Sequence, residues 1–428
     1  MPSDRSFAYW QRVKWVEGLI LLAAAPFLLF PERFILLTAL FLILLATLWL
    51  APLLAVRSPL IPSTPFNAAL CVFGLALCIA ILVTSDPDLT LSKATGLILG
   101  LGVWRYLVLA IRQRTQVGWA MAAYLAIGLG FIAFGLLNAG WVLKSSSQVS
   151  LPALSAASSD ANNGGIHPNQ IAGTITLVLP LLAALLISSI SQAGQRPGLV
   201  RWVLLLATLS CSTALLLTRS RSGWAGVLGG LIVLLLLWGL TMDPSPNRRL
   251  VRLSAAGVIT LLLLLLTALG PQRLQQMWLD PPQETAVGSF STLNFRQDLW
   301  PWAVQAIGDF PYTGIGLGSF REAGRRLYPL PISPTFDFAH AHNVFLQTAL
   351  DVGIPGLIAY IALLLVSTTA AWQTAKKDRA LRAASVGLLS SLAAFHIYGL
   401  ADALALGSKP AVLLWAVFGL LAVMVRLR

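Results

Sequence analysis

Apolar runs of about 17–25 residues recur along this chain, separated by short connections that carry most of its arginine and lysine. A run of that length spans the hydrocarbon core of a bilayer as one helix. In lipid the backbone must satisfy its own hydrogen bonds, which leaves helices and closed barrels as the only spanning structures. A barrel would write itself as short alternating segments, and none occur here. The composition agrees: 57% of residues are hydrophobic and 11% charged, whereas a soluble domain carries about 25% charged residues. The chain reads as an all-α polytopic membrane protein with about twelve transmembrane helices and a partly helical cap between helices 9 and 10.

The expected spans cover about 16–30, 34–55, 66–84, 91–112, 117–138, 168–190, 201–217, 222–241, 252–269, 343–371, 382–402 and 409–426. The organisation that follows is 1–138 for helices 1–5, 139–167 for a flexible outer loop and 168–269 for helices 6–9. A large outer loop, 270–342, precedes helices 10–12 at 343–428. Arg57, Arg112, Arg114, Arg201, Arg252, Lys376, Lys377, Arg379 and Arg382 fall in connections on one side, with Arg5, Arg12, Lys14 and Arg426 at the ends. The positive-inside bias then puts both termini in the cytoplasm. Outward connections hold few cations, among them Arg33, Lys93, Lys144 and Lys409. The net charge of +13 is spread over short loops. That fits topology better than a nucleic-acid partner. Cys71, Cys78 and Cys211 lie inside apolar runs, so unpaired core cysteines are expected rather than a disulfide framework.

The 139–167 segment is rich in Ser, Ala, Asn and Gly and reads as a linker or lid. The 270–342 segment has helical periodicity around Leu293–Ile307. A turn with Gly314, Gly316 and Gly318 follows, then Arg321, Arg325 and Arg326. It reads as a small folded cap on the membrane face.

Chemistry concentrates at two places. Ala339-His340-Ala341-His342-Asn343 holds two of the four histidines at the mouth of the tenth span, and histidine changes charge near neutral pH. Asn343, Gln347 and Asp351 follow at i, i+4, i+8 on one helix face. They either line a polar cavity or bond to neighbouring helices. His342, at the mouth of the stripe, is the candidate base and His340 its neighbour. The second place is the hairpin Thr218-Arg219-Ser220-Arg221-Ser222-Gly223-Trp224. Two arginines in a translocated turn oppose the topology signal, and their planar forks of donors match phosphate oxygens. An anion clamp is the sharper reading and lipid-headgroup contact the blander one.

Weaker features are Asp86-Pro87-Asp88, a metal-binding pattern or a helix cap, and Arg105, a snorkelling arginine. His396 reads as a core histidine, and His167-Pro168-Asn169 caps the sixth span. Gly353-Ile354-Pro355-Gly356 is expected to kink the tenth.

Taken in order, several elements resemble the O-antigen ligase family, which handles polyprenyl-diphosphate-linked glycans. They are Pro168-Asn169, Ala172-Gly173 and Leu179-Pro180; Thr218-x-Ser220-Arg221-Ser222-Gly223-Trp224; Arg296-x-x-x-Trp300 and Pro311-x-x-Gly314-x-Gly316-x-Gly318-x-Phe320; and His342-Asn343 with Gln347, Gly353 and Gly356. Together they cover about residues 165–360. The resemblance implies transfer of a glycan from undecaprenyl diphosphate to lipid A–core at the periplasmic face of a Gram-negative inner membrane. It puts the essential histidine on His342 and the arginines on Arg221 and Arg296, with Arg219 an alternative to Arg221. Asn343, Gln347, His340 and Asn169 are expected to support the site, and Arg321, Arg325 and Arg326 to contact the acceptor. No cofactor or metal is expected, because arginines can neutralise a departing diphosphate. A polysaccharide polymerase or a protein O-oligosaccharyltransferase is the near alternative, and a transporter or flippase the distant one.

Overall fold

The apolar runs fold as helices. The computed structural model describes residues 4–56, 63–138, 166–191, 198–242, 291–328 and 340–427, with scattered positions between 249 and 272. In chain order the helices are α1 (Asp4–Leu29), α2 (Ile35–Val56), α3 (Asn67–Leu82), α4 (Pro87–Ala110) and α5 (Arg114–Leu137). After them come α6 (Pro168–Ser191), α7 (Gly198–Thr218), α8 (Arg221–Thr241), α9 (Ser291–Asp309) and α10 (Phe320–Leu327). The last three are α11 (Val344–Lys377), α12 (Arg382–Gly399) and α13 (Val412–Arg426). No β-strand occurs among the described residues.

Among the described residues, seven helical stretches are long and apolar enough to cross a membrane: α4–α8, α11, and Lys409–Arg426, which contains α13. Ile35–Ala51 and α3 are shorter apolar helices. Half of the expected ninth span at 252–269 lies outside the described residues, as does most of the 139–167 loop.

α6 and α12 form the centre, packed on each other and on α8. Close approach is possible because α8 presents Gly226 and Gly230 to α12. A Cβ at Gly226 would lie 2.6 Å from the Ala394 carbonyl oxygen, and one at Gly230 would lie 2.9 Å from that of Ser390. Small residues four apart are a common way to bring two membrane helices together. α11 packs on α3, and α13 on α4.

Two sequence expectations, for Arg105 and for the α3 cysteines, change here, while the helix-cap reading of Asp86-Pro87-Asp88 and the core reading of His396 hold. Arg105 does not snorkel. It is buried, ion-paired with Glu17 on α1, and its guanidinium lies 5.6 Å from the Trp49 ring. Glu17 in turn accepts from Trp49 Nε1 at 3.1 Å. A charge that cannot reach water must be paired, and α1 supplies the partner. Cys71 and Cys78 are exposed on α3 rather than buried, while Cys211 is buried. Asp86-Pro87-Asp88 is a helix start: Asp86 caps α4 by accepting from Leu89 N at 3.0 Å, with Pro87 in the first turn. His396 is a core histidine, hydrogen-bonded to Tyr360 and the Leu392 carbonyl.

The segment after the expected ninth span carries α9 and α10, which share a small apolar core. Leu299, Ala303 and Ala306 pack against Ile315, Phe320, Ala323 and Tyr328, closing on Leu350 of α11. This cap is fixed to the membrane helices by backbone contacts at a break in α11. Gly353 has φ 71 and ψ 176, which interrupts the helix. The groups freed there pair with the cap: Ile354 N donates to the Pro311 carbonyl at 2.7 Å, and Ile315 N to that of Leu350 at 2.8 Å. The same turn reaches α4, where Thr90 donates to the Leu317 carbonyl at 2.6 Å.

Candidate functional site

Two backbone outliers point to the site. Arg219 has φ 49 and His342 has φ 51, the positive-φ residues other than glycine among those described. A side chain held in the left-handed region costs of order 1–3 kcal/mol and persists where the surroundings fix it. Both residues belong to the motifs that the sequence singles out.

His342 is held from several directions. Asn343 caps α11, accepting from Phe345 N at 2.9 Å and Leu346 N at 3.1 Å, and its amide donates to the Leu400 carbonyl. Trp300 of α9 donates through Nε1 to the Ala341 carbonyl at 3.0 Å, while Gln347 accepts from Ala341 N at 2.8 Å. Gln347 also donates to Asp351, whose Oδ1 accepts from Gly318 N at 2.9 Å. The polar stripe Asn343–Gln347–Asp351 therefore clamps the histidine loop and the glycine turn to α11.

The imidazole of His342 faces Asp402, which lies just beyond α12 and is almost fully buried. His342 Nδ1 is 3.3 Å from Asp402 Oδ1, and Nε2 of His340 is 3.9 Å from the same oxygen. Asn169, in the first turn of α6, donates through Nδ2 to Asp402 Oδ2 at 2.6 Å, and Ala403 N donates to Oδ1 at 2.8 Å. Tyr398 donates to the Asn169 carbonyl at 2.9 Å. Four separated parts of the chain (α6, the histidine loop, α9 and the end of α12) thus meet at one carboxylate.

The electrostatics fix protonation states. Burial pushes the Asp402 carboxyl up, but the hydrogen bond to His342, the two histidines and Arg296 outweigh it, and the pKa ends well below the ordinary range. An ionised acceptor at Asp402 favours a proton on His342 Nδ1, the ring nitrogen that faces it. His340 differs. Burial, with His342 adding to it against the pull of Asp402, lowers its pKa to about 3. Its Nδ1 accepts from His342 N at 3.2 Å, so it is a neutral neighbour with the proton on Nε2. The Arg296 guanidinium on α9 is lowered by burial, raised by Asp402 and lowered again by Arg221. Arg221 therefore lies within electrostatic reach of Arg296.

The hairpin that carries Arg221 starts α8. Ser220 caps the helix, accepting from Gly223 N at 3.3 Å, and Trp224 donates to the Leu215 carbonyl. Arg219 and Arg221 are both exposed on either side of the buried Ser220. The cap arginines sit apart on α10: Arg326 pairs with Glu322 at 2.7 Å, while Arg325 is exposed and Arg321 partly so.

Sequence reasoning missed Asp402. Its signal was a lone acid closing an apolar span, a placement that marks function more often than structure. It also missed Lys93 of α4, which stands close enough to oppose protonation of His340. His340, His342 and Asp402 present ligand atoms within 4.8 Å of one another, a set able to hold a metal ion. A separate apolar groove between α3, α11 and the Pro311–Tyr312 turn contains none of these residues.

Residues 204–361 match the family described as O-Antigen ligase. No curated protein matches the chain. The matched region runs from α7 through the arginine hairpin and the cap into α11, and so contains Arg219, Arg221, Arg296, His340 and His342. Asn169, Lys93 and Asp402 lie outside it. Residues 204–361 of this multi-pass helical chain thus match the O-antigen ligase family, and a domain of that family implies glycan transfer from lipid-linked substrates.

Proposed function

We propose that the protein is an O-antigen ligase, an inverting and metal-independent glycosyltransferase. It moves a finished glycan from undecaprenyl diphosphate to lipid A–core on the periplasmic face of the inner membrane. The observation that carries this reading is the contact of His342 Nδ1 with the buried Asp402 carboxylate at 3.3 Å, with Arg296 acting on the same carboxylate and Arg221 acting on Arg296.

His342 takes the proton of the acceptor hydroxyl through Nε2 while Asp402 stabilises the imidazolium that forms. The oxygen attacks the anomeric carbon opposite the diphosphate, the glycosidic bond to phosphate breaks, and undecaprenyl diphosphate leaves. Charge develops on the departing phosphate oxygens, which Arg221 and Arg296 neutralise, so no acid need protonate the leaving group. Arg221 is favoured over Arg219 as the phosphate ligand because it neighbours Arg296. His340, Asn169, Asn343 and Gln347 position the base. Arg321, Arg325 and Arg326 meet anionic groups of the acceptor. A divalent ion on His340, His342 and Asp402 would compete with the positive charge of Arg296 that already acts on Asp402.

The proposed topology has twelve spans, cytoplasmic termini and α9–α10 as a periplasmic cap. It draws support from the ends of the bundle. The Arg114–Asp378 ion pair and the Arg426 contact with the Ile111 carbonyl lie at the end opposite the histidines.

A deletion strain tests the assignment. Long polymer should accumulate on undecaprenyl diphosphate while lipid A–core stays uncapped. Single repeat units on the core, with long chains lost, would make the protein a polymerase.

A further inference from the structure

Outward connections of a membrane protein are poor in lysine and arginine because each cation there works against the topology signal. Arg33 and Lys409 are exceptions in such connections, Lys93 stands in the second turn of α4 rather than in a connection, and the fold brings the three together. The 3₁₀ turns Pro31–Arg33 and Lys409–Ala411 both pack on α4, which carries Lys93. Lys409 Nζ lies 3.8 Å from the centre of the Phe30 ring, and the Arg33 guanidinium carbon lies 5.9 Å from the same centre. The backbone around Gly407 rests directly on the Lys93 carbonyl, and the Lys93 stem runs beside Gly318 of the cap turn. Both Lys93 and Arg33 are within electrostatic reach of Lys409.

These charges are under-compensated. Lys93 is half-buried, and its ammonium has no hydrogen bond or ion pair within bonding distance among the described residues. The carboxylate that acts on it is Asp351, whose Oδ1 already serves Gly318 N and Gln347 Nε2. Glu32 is the acid near Lys409. Three cations therefore stand against one exposed carboxylate on this ledge. A half-buried ammonium without a partner is costly unless something anionic meets it.

We propose that Lys93, Lys409 and Arg33 form a second anion site, separate from the Arg221–Arg296 pair, that binds the phosphate of an amphiphile in the outer leaflet. Lys93 links the ledge to the reacting centre, since it acts on His340, whereas Arg221 reaches the centre through Arg296. The two cationic groups therefore approach the histidines through different helices. The Arg221–Arg296 pair suits the donor diphosphate and the ledge suits a phosphorylated glycolipid acceptor. The acceptor assignment rests on the ligase reading; the phosphate chemistry does not.

Binding can be measured without turnover. Purified protein in neutral detergent is titrated with bis-phosphorylated lipid A, with its phosphatase-treated form and with phosphatidylglycerol, and complexes are counted by native mass spectrometry. The Lys93→Gln/Lys409→Gln/Arg33→Gln variant should bind bis-phosphorylated lipid A about tenfold or more weakly than the parent, because charge-assisted contacts to phosphate are lost. Its binding of the dephosphorylated form should be unchanged. Lys409→Glu, at an exposed position, gives the same direction if the triple variant is not monodisperse. A parallel loss with phosphatidylglycerol supports the phosphate site and assigns it to headgroups in general, while a loss confined to lipid A assigns it to the acceptor. Equal binding of all three lipids by parent and variants overturns the site. Transfer is scored separately on the parent protein. Absent transfer with phosphate-dependent binding sinks the ligase reading alone, and intact transfer with phosphate-indifferent binding sinks the ledge alone.

Discussion

Replacing Asp402 by asparagine separates charge from orientation at the proposed base. The carboxylate receives three donors: His342 Nδ1–H and Ala403 N–H on Oδ1, and Asn169 Nδ2–H on Oδ2. A carboxamide has one oxygen. If that oxygen takes the Oδ1 position, it keeps His342 and Ala403, and the Asn169 amide can flip to accept from the new NH₂. The opposite orientation would set the NH₂ against two donors. Asp402→Asn should therefore preserve the His342 tautomer and lose only the charge. A hydrogen bond to a charged group is worth about 1.5–3 kcal/mol, and each 1.36 kcal/mol is tenfold in rate. The expected fall in kcat is about 10- to 100-fold. Asp402→Ala removes the orienting oxygen as well and should fall further, toward the full 10²–10⁴-fold worth of a positioned base. Because Asp402 also offsets Arg296, neither substitution should raise the donor KM. Steady-state transfer by purified protein in micelles, with donor and acceptor varied separately, measures both constants. Wild-type kcat in Asp402→Asn, or a loss confined to donor KM, would refute the reasoning.

In transfer assays run throughout in EDTA, Arg221→Ala and Arg296→Ala should each cost about tenfold or more through lost charge-assisted contacts to phosphate. Arg219→Ala should cost less, and loss of all activity on chelation would reassign His340, His342 and Asp402 to a metal. Gly353→Ala places a Cβ 2.5 Å from the Tyr312 carbonyl oxygen at φ 71. It should lower stability by about 2–4 kcal/mol, from backbone strain and the lost cap hydrogen bond. Thermal unfolding in detergent checks this, and an unchanged melting temperature would mean that the cap turn moves freely. His340, with its pKa lowered from 6.5 to about 3, makes the unfolded chain bind more protons between those values, so stability falls as pH falls through that window. Melting temperatures at pH 7.5 and 5 should drop less for His340→Asn than for the parent; an equal drop would show that His340 is already charged in the fold.

The helices and the residues of both halves of the candidate site are legible in the sequence because each rests on local pattern. Span length gives the helices, the periodicity near Leu293–Ile307 becomes α9, and Gly353-Ile354-Pro355-Gly356 marks the break in α11. What local pattern cannot carry is which distant residues meet. Glu17 and Arg105, 88 positions apart, form a buried pair that either residue alone suggests as an interface charge. Asp402 stands 60 positions from His342 and 233 from Asn169, and only the packing of α6 against α12 makes it the hub. The stripe Asn343–Gln347–Asp351 was visible as a helix face, but its duty in holding Ala341 and Gly318 depends on where the cap folds back.

The central claim is transfer of glycan between two lipids with His342 as base, and reconstitution tests it most directly. The purified protein is incubated in micelles with undecaprenyl-diphosphate-linked polymer and lipid A–core, and the products are separated and weighed. The account predicts lipid A–core bearing the intact glycan in inverted linkage, with undecaprenyl diphosphate released in equal amount and both products absent with His342→Ala. Lengthened chains on undecaprenyl diphosphate with lipid A–core untouched, or full transfer by His342→Ala, would contradict it.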